Sequence, residues 1–481
     1  MSTERRILGP FNRVEGDLDI KVEVLDNRVQ RAWVNAPLFR GFEQILSDKD
    51  PRDALVYTPR ICGICSVSQS VAAATAIANA QGISPAPNGL LATNLILATE
   101  NLADHLSHFY LFFMPDFARS GYQHKPWFES IADRFRAQQG SAAHQALEAR
   151  SEFLNLTGIL AGKWPHSLAI QPGGTTRSIQ ENELIRMLSI IRSMRYFLES
   201  VTFSDSLEAL SCLQTQGDLE NWQATHSNSD FARFLNVAKD LQLSHLGRTQ
   251  NRFLSYGAYP MGETTLFPAG IWDNGPEMLD QQNILEDVSS SWLTGAISEH
   301  PYKGSTVIDE QMRNGYSWCK APRYDGRVLE VGALARQMVA GHPLIRDLVN
   351  HNGASVYTRV VARLLEIALL IPQMEQWLAQ IKTGDAFCES QTIPDEAQGA
   401  GLVEAARGSL GHWLVIKKGR IFNYQIVAPT TWNFSPRDHQ DQAGALEQAL
   451  VGIEIVDNIE NTLSIQHVIR SFDPCMVCTV H

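Results

Sequence analysis

Hydrophobic residues along this chain follow two rhythms. In LDIKVEVLDNRVQRAWVNA (residues 18–36) apolar and polar positions alternate on either side of Asp26-Asn27, which predicts a β-hairpin. HWLVIKKGRIFNYQIV (residues 412–427) repeats the pattern around Lys418-Gly419. Between these ends the rhythm changes. Leu91, Leu95, Ala98, Leu102, His105, Phe109 and Phe112 keep the spacing of a buried helical stripe. Leu184, Met187, Leu188, Ile191, Met194 and Leu198 define a second helix. Val356, Val360, Leu364, Ile367 and Ile371 define a third, expected to end or kink at Pro372. These elements predict an α+β fold, mainly helical, with a central long-helix bundle and peripheral β-hairpins or sheets near both termini. A single domain over residues 1–481 accommodates them: a hairpin region (18–36), a helical core (89–385), a β region (404–438) and a C-terminal segment (471–481). Bundle interiors are common places for metal sites.

Composition excludes several classes. The 481 residues are 44% hydrophobic and 19% charged, which is ordinary for a globular protein. A net charge of −12 without basic runs argues against nucleic acid. No apolar stretch is long enough to span a membrane. The start, MSTERRILGPFNRVEG, lacks the apolar core of a signal peptide, so the expected compartment is cytoplasmic.

Seven cysteines, an odd number, do not suggest a disulfide framework. Four of them form two C-x-x-C pairs near opposite ends, Cys62/Cys65 and Cys475/Cys478. The pairs are open to three uses: structural zinc, redox dithiols, or a thiolate pocket for a redox-active transition metal. Count alone favours zinc. A zinc ribbon, however, closes within a few dozen residues and has no need of both ends of a large chain.

The flanking residues point further. RICGIC (60–65) and DPCMVCTVH (473–481) resemble the two nickel-binding motifs of the nickel–iron hydrogenase large subunit. RVEGDL (13–18), FRGFE (39–43), HLSHFY (105–110), KAPRYDG (320–326), EAARGSLGHW (404–413) and APTTWNFSPRD (428–438) are similar to its other motifs, in the same order. The resemblance spans the chain. It implies heterolytic cleavage of dihydrogen, with Cys62 and Cys475 as terminal nickel ligands. Cys65 and Cys478 would bridge to an iron carrying cyanide and carbon monoxide. It makes Glu15 the base that takes a proton from Cys475, where a lone Glu would read as a solvated strand start. Glu43, the backbone carbonyl of Ile426 and His481 would bind magnesium, which explains a histidine at a terminus that otherwise frays. Lys320 would support Glu43. Arg407, Asp104 and Asp473 would form a polar canopy over the metals, and Thr430 would hydrogen-bond a cyanide. Without the resemblance, Asp104 is a helix-surface charge and Thr430 a turn residue. His105 and His108 read as core histidines with partners.

The sequence departs from the family pattern at four places. Most members continue past the C-terminal histidine and lose that tail to a protease. This chain stops at His481, as a processed form or a tailless product would. Gln69 stands where a histidine is usual, and Ala406 where proline is usual. Ile64 and Phe112 replace a smaller Val and Leu, which would narrow a gas channel. Taken together the lack of a tail, Gln69, Ile64 and Phe112 resemble the regulatory, hydrogen-sensing hydrogenases, which turn over slowly, resist oxygen and signal to a histidine kinase. The main alternative is a respiratory or uptake hydrogenase whose tail has been removed. A non-catalytic relative, like the quinone-side subunit of respiratory complex I, usually lacks the four thiols, and a zinc-stabilised binding protein would hold only zinc. Electrons must leave, and Cys212, Cys319 and Cys388 are too scattered to hold an iron–sulfur cluster. The expected partners are therefore an iron–sulfur small subunit, in a heterodimer or a dimer of heterodimers, and maturation proteins that insert the metals.

Overall fold

The predicted stripes become helices packed around one long member. The structure, a computed structural model, describes residues 4–312, 315–455 and 463–481. Its principal helices are α1 (Ser66–Gln81), α2 (Pro87–Ser107), α3 (Glu181–Phe197), α4 (Ala333–Ala340), α5 (Val356–Gln380) and α6 (Leu463–Ser471). Helix α5 touches α2, α3, α4 and α6. It starts on Ser355, whose hydroxyl accepts from the Thr358 N–H, and it runs through Pro372 to Gln380 rather than ending there. Both flanks of that proline are buried, at Leu370, Ile371 and Met374, and this packing offsets the missing hydrogen bond. Helix α2 passes into a wide turn over His108–Phe113. The widening puts Phe113 in the core and leaves Phe112, expected on the buried stripe, half-buried.

Both terminal hairpins are present, each with a strand the alternation did not show. Strands β1 (Glu4–Leu8), β2 (Asp19–Leu25) and β3 (Arg28–Asn35) form one antiparallel sheet. Asp26 and Asn27 turn the hairpin at φ 50° and 59°, the left-handed geometry these side chains tolerate. The region read as a helical core also carries β structure. Strands β4 (Arg252–Met261) and β5 (Thr264–Asp273) pair as a long hairpin, and Ile284–Asp287 pairs with Ala321–Tyr324. The sheets are therefore not confined to the termini. Strands β6 (Ala397–Ala405), β7 (Gly408–Lys417) and β8 (Arg420–Val427) make the C-terminal sheet.

Helix α1 was not foreseen. Its sequence, SVSQSVAAATAIANAQ, is buried at nearly every position, so it shows no polar face to mark a period. It lies on β6 and β7. At Gly399 and Gly401 a methyl group would run into the carbonyls of Ala76 and Ala72, so these glycines permit the close approach. The helix begins immediately after Cys65. The chain ends are joined as well: Glu15 pairs with Cys475, and the Met476 N–H donates to the Glu15 carbonyl at 2.7 Å.

Candidate metal centre

Two short turns carry the four cysteines. Cys62 follows the turn Thr58–Arg60, and Cys65 is the residue on which α1 starts. Cys475 opens the turn Met476–Thr479, which contains Cys478. The four sulfurs lie within 4.8 Å of one another and all four residues are buried. Cys65 Sγ is 3.0 Å from Cys478 Sγ, which is 2.9 Å from Cys475 Sγ, and Cys475 Sγ is 3.5 Å from Cys62 Sγ. None is in a disulfide. These spacings are tighter than the roughly 3.8 Å edge of a tetrahedron with metal–sulfur bonds of about 2.3 Å.

Charge tells the same story. Hydrogen bonds from Cys475 and the other two sulfurs hold the Cys62 thiol well below its ordinary value. Those contacts push Cys65 up, and burial pushes Cys475 and Cys478 up. Four thiolates can therefore share this space only around multiply charged cations. The donor set fits a soft, redox-active metal pair.

Arg407, in the turn between β6 and β7, lies beside the sulfurs. Its guanidinium pairs with Asp104: Nη2 donates to Oδ1 at 3.1 Å, and Nη1 lies 2.8 Å from Oδ2 as an ion-pair contact. Nε donates to the Asp473 carbonyl at 2.8 Å, and Nη2 reaches Asp473 Oδ1 at 3.2 Å. Burial pushes the Asp104 carboxyl up to about 8 against the pull of Arg407. At Asp473 burial is outweighed, chiefly by Arg407, and the carboxyl is held down. Thr430 Oγ1 accepts from the Cys475 N–H at 3.1 Å. The half-buried carboxyl of Glu15 is pushed up by burial and by the negative charge of Cys62.

The family model for nickel-dependent hydrogenases matches residues 40–119 and 141–481. This chain belongs to that family. It is 30% identical to the periplasmic nickel–iron–selenium hydrogenase large subunit of Desulfomicrobium baculatum, over 98% of this chain and 94% of that one. It is 29% identical to the uptake hydrogenase large subunit of Bradyrhizobium diazoefficiens, over 100% of this chain and 95% of the other. The solved nickel–iron–selenium hydrogenase of D. vulgaris Hildenborough superposes with a TM-score of 0.85 at 31% identity, covering 100% of both chains. The chain is thus a hydrogenase catalytic large subunit with a four-cysteine nickel–iron site, and the zinc-protein reading gives way.

A second polar group surrounds the hydrogenase C-terminus. His481 is buried, with Nδ1 2.9 Å from the Cys478 carbonyl and Nε2 3.0 Å from Glu43 Oε1. Glu43 also accepts from the Ile426 N–H at 2.8 Å, from Thr306 Oγ1 and from Lys320 Nζ at 3.3 Å. Burial would raise this carboxyl, yet Lys320 and His481 pull it down to about 2. Lys320 reaches Gln425 Oε1 at 2.6 Å and Glu286 at 3.4 Å. Glu286 Oε1 is buried without a hydrogen-bond partner. A cavity of about 20 Å³, room for one water-sized sphere, is lined by Glu43, Glu286, Thr306, Lys320, Ile426 and His481. An oxygen-rich donor set with one carboxylate oxygen left unpartnered fits a hard cation.

Sequence reasoning missed Glu286, Thr306 and Gln425 here, because each sits in a different loop or strand with no spacing signal. It also missed the partners of Gln69, whose Oε1 lies 2.8 Å from His412 Nε2, with Tyr424 Oη 2.8 Å from His412 Nδ1. Ile64 lies half-buried between Cys62 and Cys65. Phe112 is half-buried in the wide turn after α2.

Proposed function

We propose that this subunit cleaves dihydrogen heterolytically as the catalytic half of a cytoplasmic hydrogen sensor. The convergence of four buried sulfurs from both ends of the chain carries the reading. When bound, the nickel–iron pair, its iron carrying cyanide and carbon monoxide, supplies the acceptor for the electrons of hydrogen. Cys62, Cys65, Cys475 and Cys478 would hold the pair through their four sulfurs. Glu15 takes the proton from Cys475, a role supported by the backbone pairing of the two residues. Arg407 is held over the site by Asp104 and Asp473, and Thr430 is poised beside Cys475 to turn its hydroxyl toward a cyanide. Glu43, His481 and the Ile426 carbonyl would hold magnesium, with Lys320 and Glu286 beside them, and the ion would tie His481 to Glu43.

An iron–sulfur small subunit takes the electrons, since Cys212 and Cys388 are lone exposed thiols and Cys319 is buried alone. Free exposed thiols suit a reducing compartment. A histidine kinase receives the signal. Gln69, Ile64 and Phe112 support the sensor reading. The uptake hydrogenase among the relatives favours the second reading, an uptake or respiratory enzyme.

Metal analysis of the purified complex is expected to find nickel and iron, with infrared bands from cyanide and carbon monoxide. Zinc alone, or no such bands, would overturn the assignment. The sensor reading expects hydrogen oxidation that persists in air, whereas rapid loss in air would favour the uptake enzyme. The double substitution Ile64→Val with Phe112→Leu is expected to turn persistence in air into progressive inactivation. Unchanged decay in oxygen would remove the gas-gate role of both residues.

A further inference from the structure

The bridging cysteine has a support that neither its motif nor its neighbours in sequence supply. Helix α1 begins directly after Cys65, and the first N–H groups of any helix lack partners within it. Cys65 does not cap them, because its sulfur faces Cys478. A carboxylate from α2 does so instead. Glu100 Oε2 accepts from the Val67 N–H at 2.9 Å, from Ser66 Oγ at 3.3 Å and from Trp164 Nε1 at 3.0 Å. Its Oε1 accepts from the Ser68 N–H at 3.0 Å and from Ser68 Oγ at 3.1 Å. Glu100 is only 2% exposed. Burial pushes its carboxyl up to about 7, against the pull of the Val67 and Ser68 N–H groups and of Trp164. Both oxygens meet donors, which is the environment of an anion.

A helix N-terminus pointed at a thiolate would normally give it N–H hydrogen bonds and partial positive charge. Hydrogen bonds to metal-bound sulfur withdraw electron density and raise the reduction potential of the centre. Here two of those N–H groups are diverted to the buried carboxyl of Glu100. We propose that Glu100 is a positioning residue for hydrogen cleavage, fixing Cys65 and keeping the first-turn N–H groups of α1 off its sulfur, so that the thiolate donates fully to the metals. The inference rests on Cys65 being a metal ligand. It adds a residue on a different helix that tunes that ligand without touching it.

The test uses the nickel-loaded complex of wild type, Glu100→Gln and Glu100→Asp. The amide keeps the shape of the side chain but turns a donor toward donors, so at least one first-turn N–H is released. For Glu100→Gln the expected result is nickel content within about twofold of wild type. Its carbonyl infrared band should move to higher wavenumber and its nickel midpoint potential should become more positive. Glu100→Asp keeps the carboxyl with a shorter reach and is expected to lie between the two. A Gln variant with the wild-type band and potential but a lower melting temperature would make Glu100 a helix cap alone and overturn the proposal. Where Glu100→Gln does not assemble, the same readings on Glu100→Asp decide, and an unshifted band and potential there overturn it. Wild-type protein without nickel would overturn the reading of Cys65 as a ligand, and this proposal with it.

Discussion

Cys475→Ser is expected to leave a folded chain that retains little nickel and shows no measurable hydrogen oxidation. A thiol gives up its proton on binding a metal and the thiolate suits soft metals, whereas the serine hydroxyl keeps its proton and is a hard donor. Residues that merely support a ligand typically cost ten- to a hundredfold when removed, so losing a ligand itself should exceed about a hundredfold. The fold should survive because the backbone around Cys475 is held independently of its sulfur. Its N–H donates to Thr430, and its carbonyl accepts from Thr479 Oγ1 at 3.1 Å. Nickel per chain, dye-linked hydrogen oxidation and a thermal melt read the three parts of this expectation. Wild-type activity in the serine variant would remove Cys475 from the site.

The largest effect on stability is expected at Arg336→Met. Arg336 is fully buried and ties α4 to α5 and β6. Its Nε and Nη2 donate to Glu366 at 3.0 and 2.6 Å, and its Nη1 donates to Glu404 at 2.8 Å. It also donates to the carbonyls of Ala405 and Ala406, directly before Arg407. Removing it strands two buried carboxylates, at a cost of about 3–5 kcal/mol. The same substitution should change the acid limb of stability. Burial would raise Glu366, but Arg336 and His105 hold it at about 2, below the roughly 4.3 of an unfolded glutamate. A depressed carboxyl stabilises the fold above its unfolded value, and that contribution fades as pH falls from about 4 toward 2. Without Arg336 this acid-dependent loss should vanish, leaving a variant weaker near neutral pH and less responsive to acid. Denaturant unfolding of both proteins across that range checks the sign. Equal stability at neutral pH would mean the two carboxylates find other partners or take up protons.

The β2–β3 hairpin was legible because buried and more exposed positions alternate along it. The α2, α3 and α5 stripes were legible because large apolar residues stand out at helical spacing against smaller or polar ones, although α2 from Asn94 onward and most of α5 are buried on every side. Helix α1 lacked that contrast, since an alanine-rich helix enclosed on all sides looks featureless in sequence. The β4–β5 hairpin lay within a stretch read as helical, since its strands, RFLSYGAYPM and TTLFPAGIWD, show no clean alternation of apolar and polar positions. The donor identities of the metal site were legible too, because chelation needs two thiols at short spacing and the flanking motifs are specific. His105 was rightly left to a core partner, since it lies 3.0 Å from Glu366 on α5.

By itself the sequence determined which atoms could bind metal and which faces must be buried, since residue type and local period decide both. Only the tertiary structure decided that Glu15 and Cys475 share a backbone pairing, that Arg407 pairs with Asp104, and that Glu100 caps the helix behind Cys65. Contacts between distant segments depend on how packed elements set the distances between side chains. A carboxylate on a helix reads the same in sequence whether it meets water or the first turn of another helix.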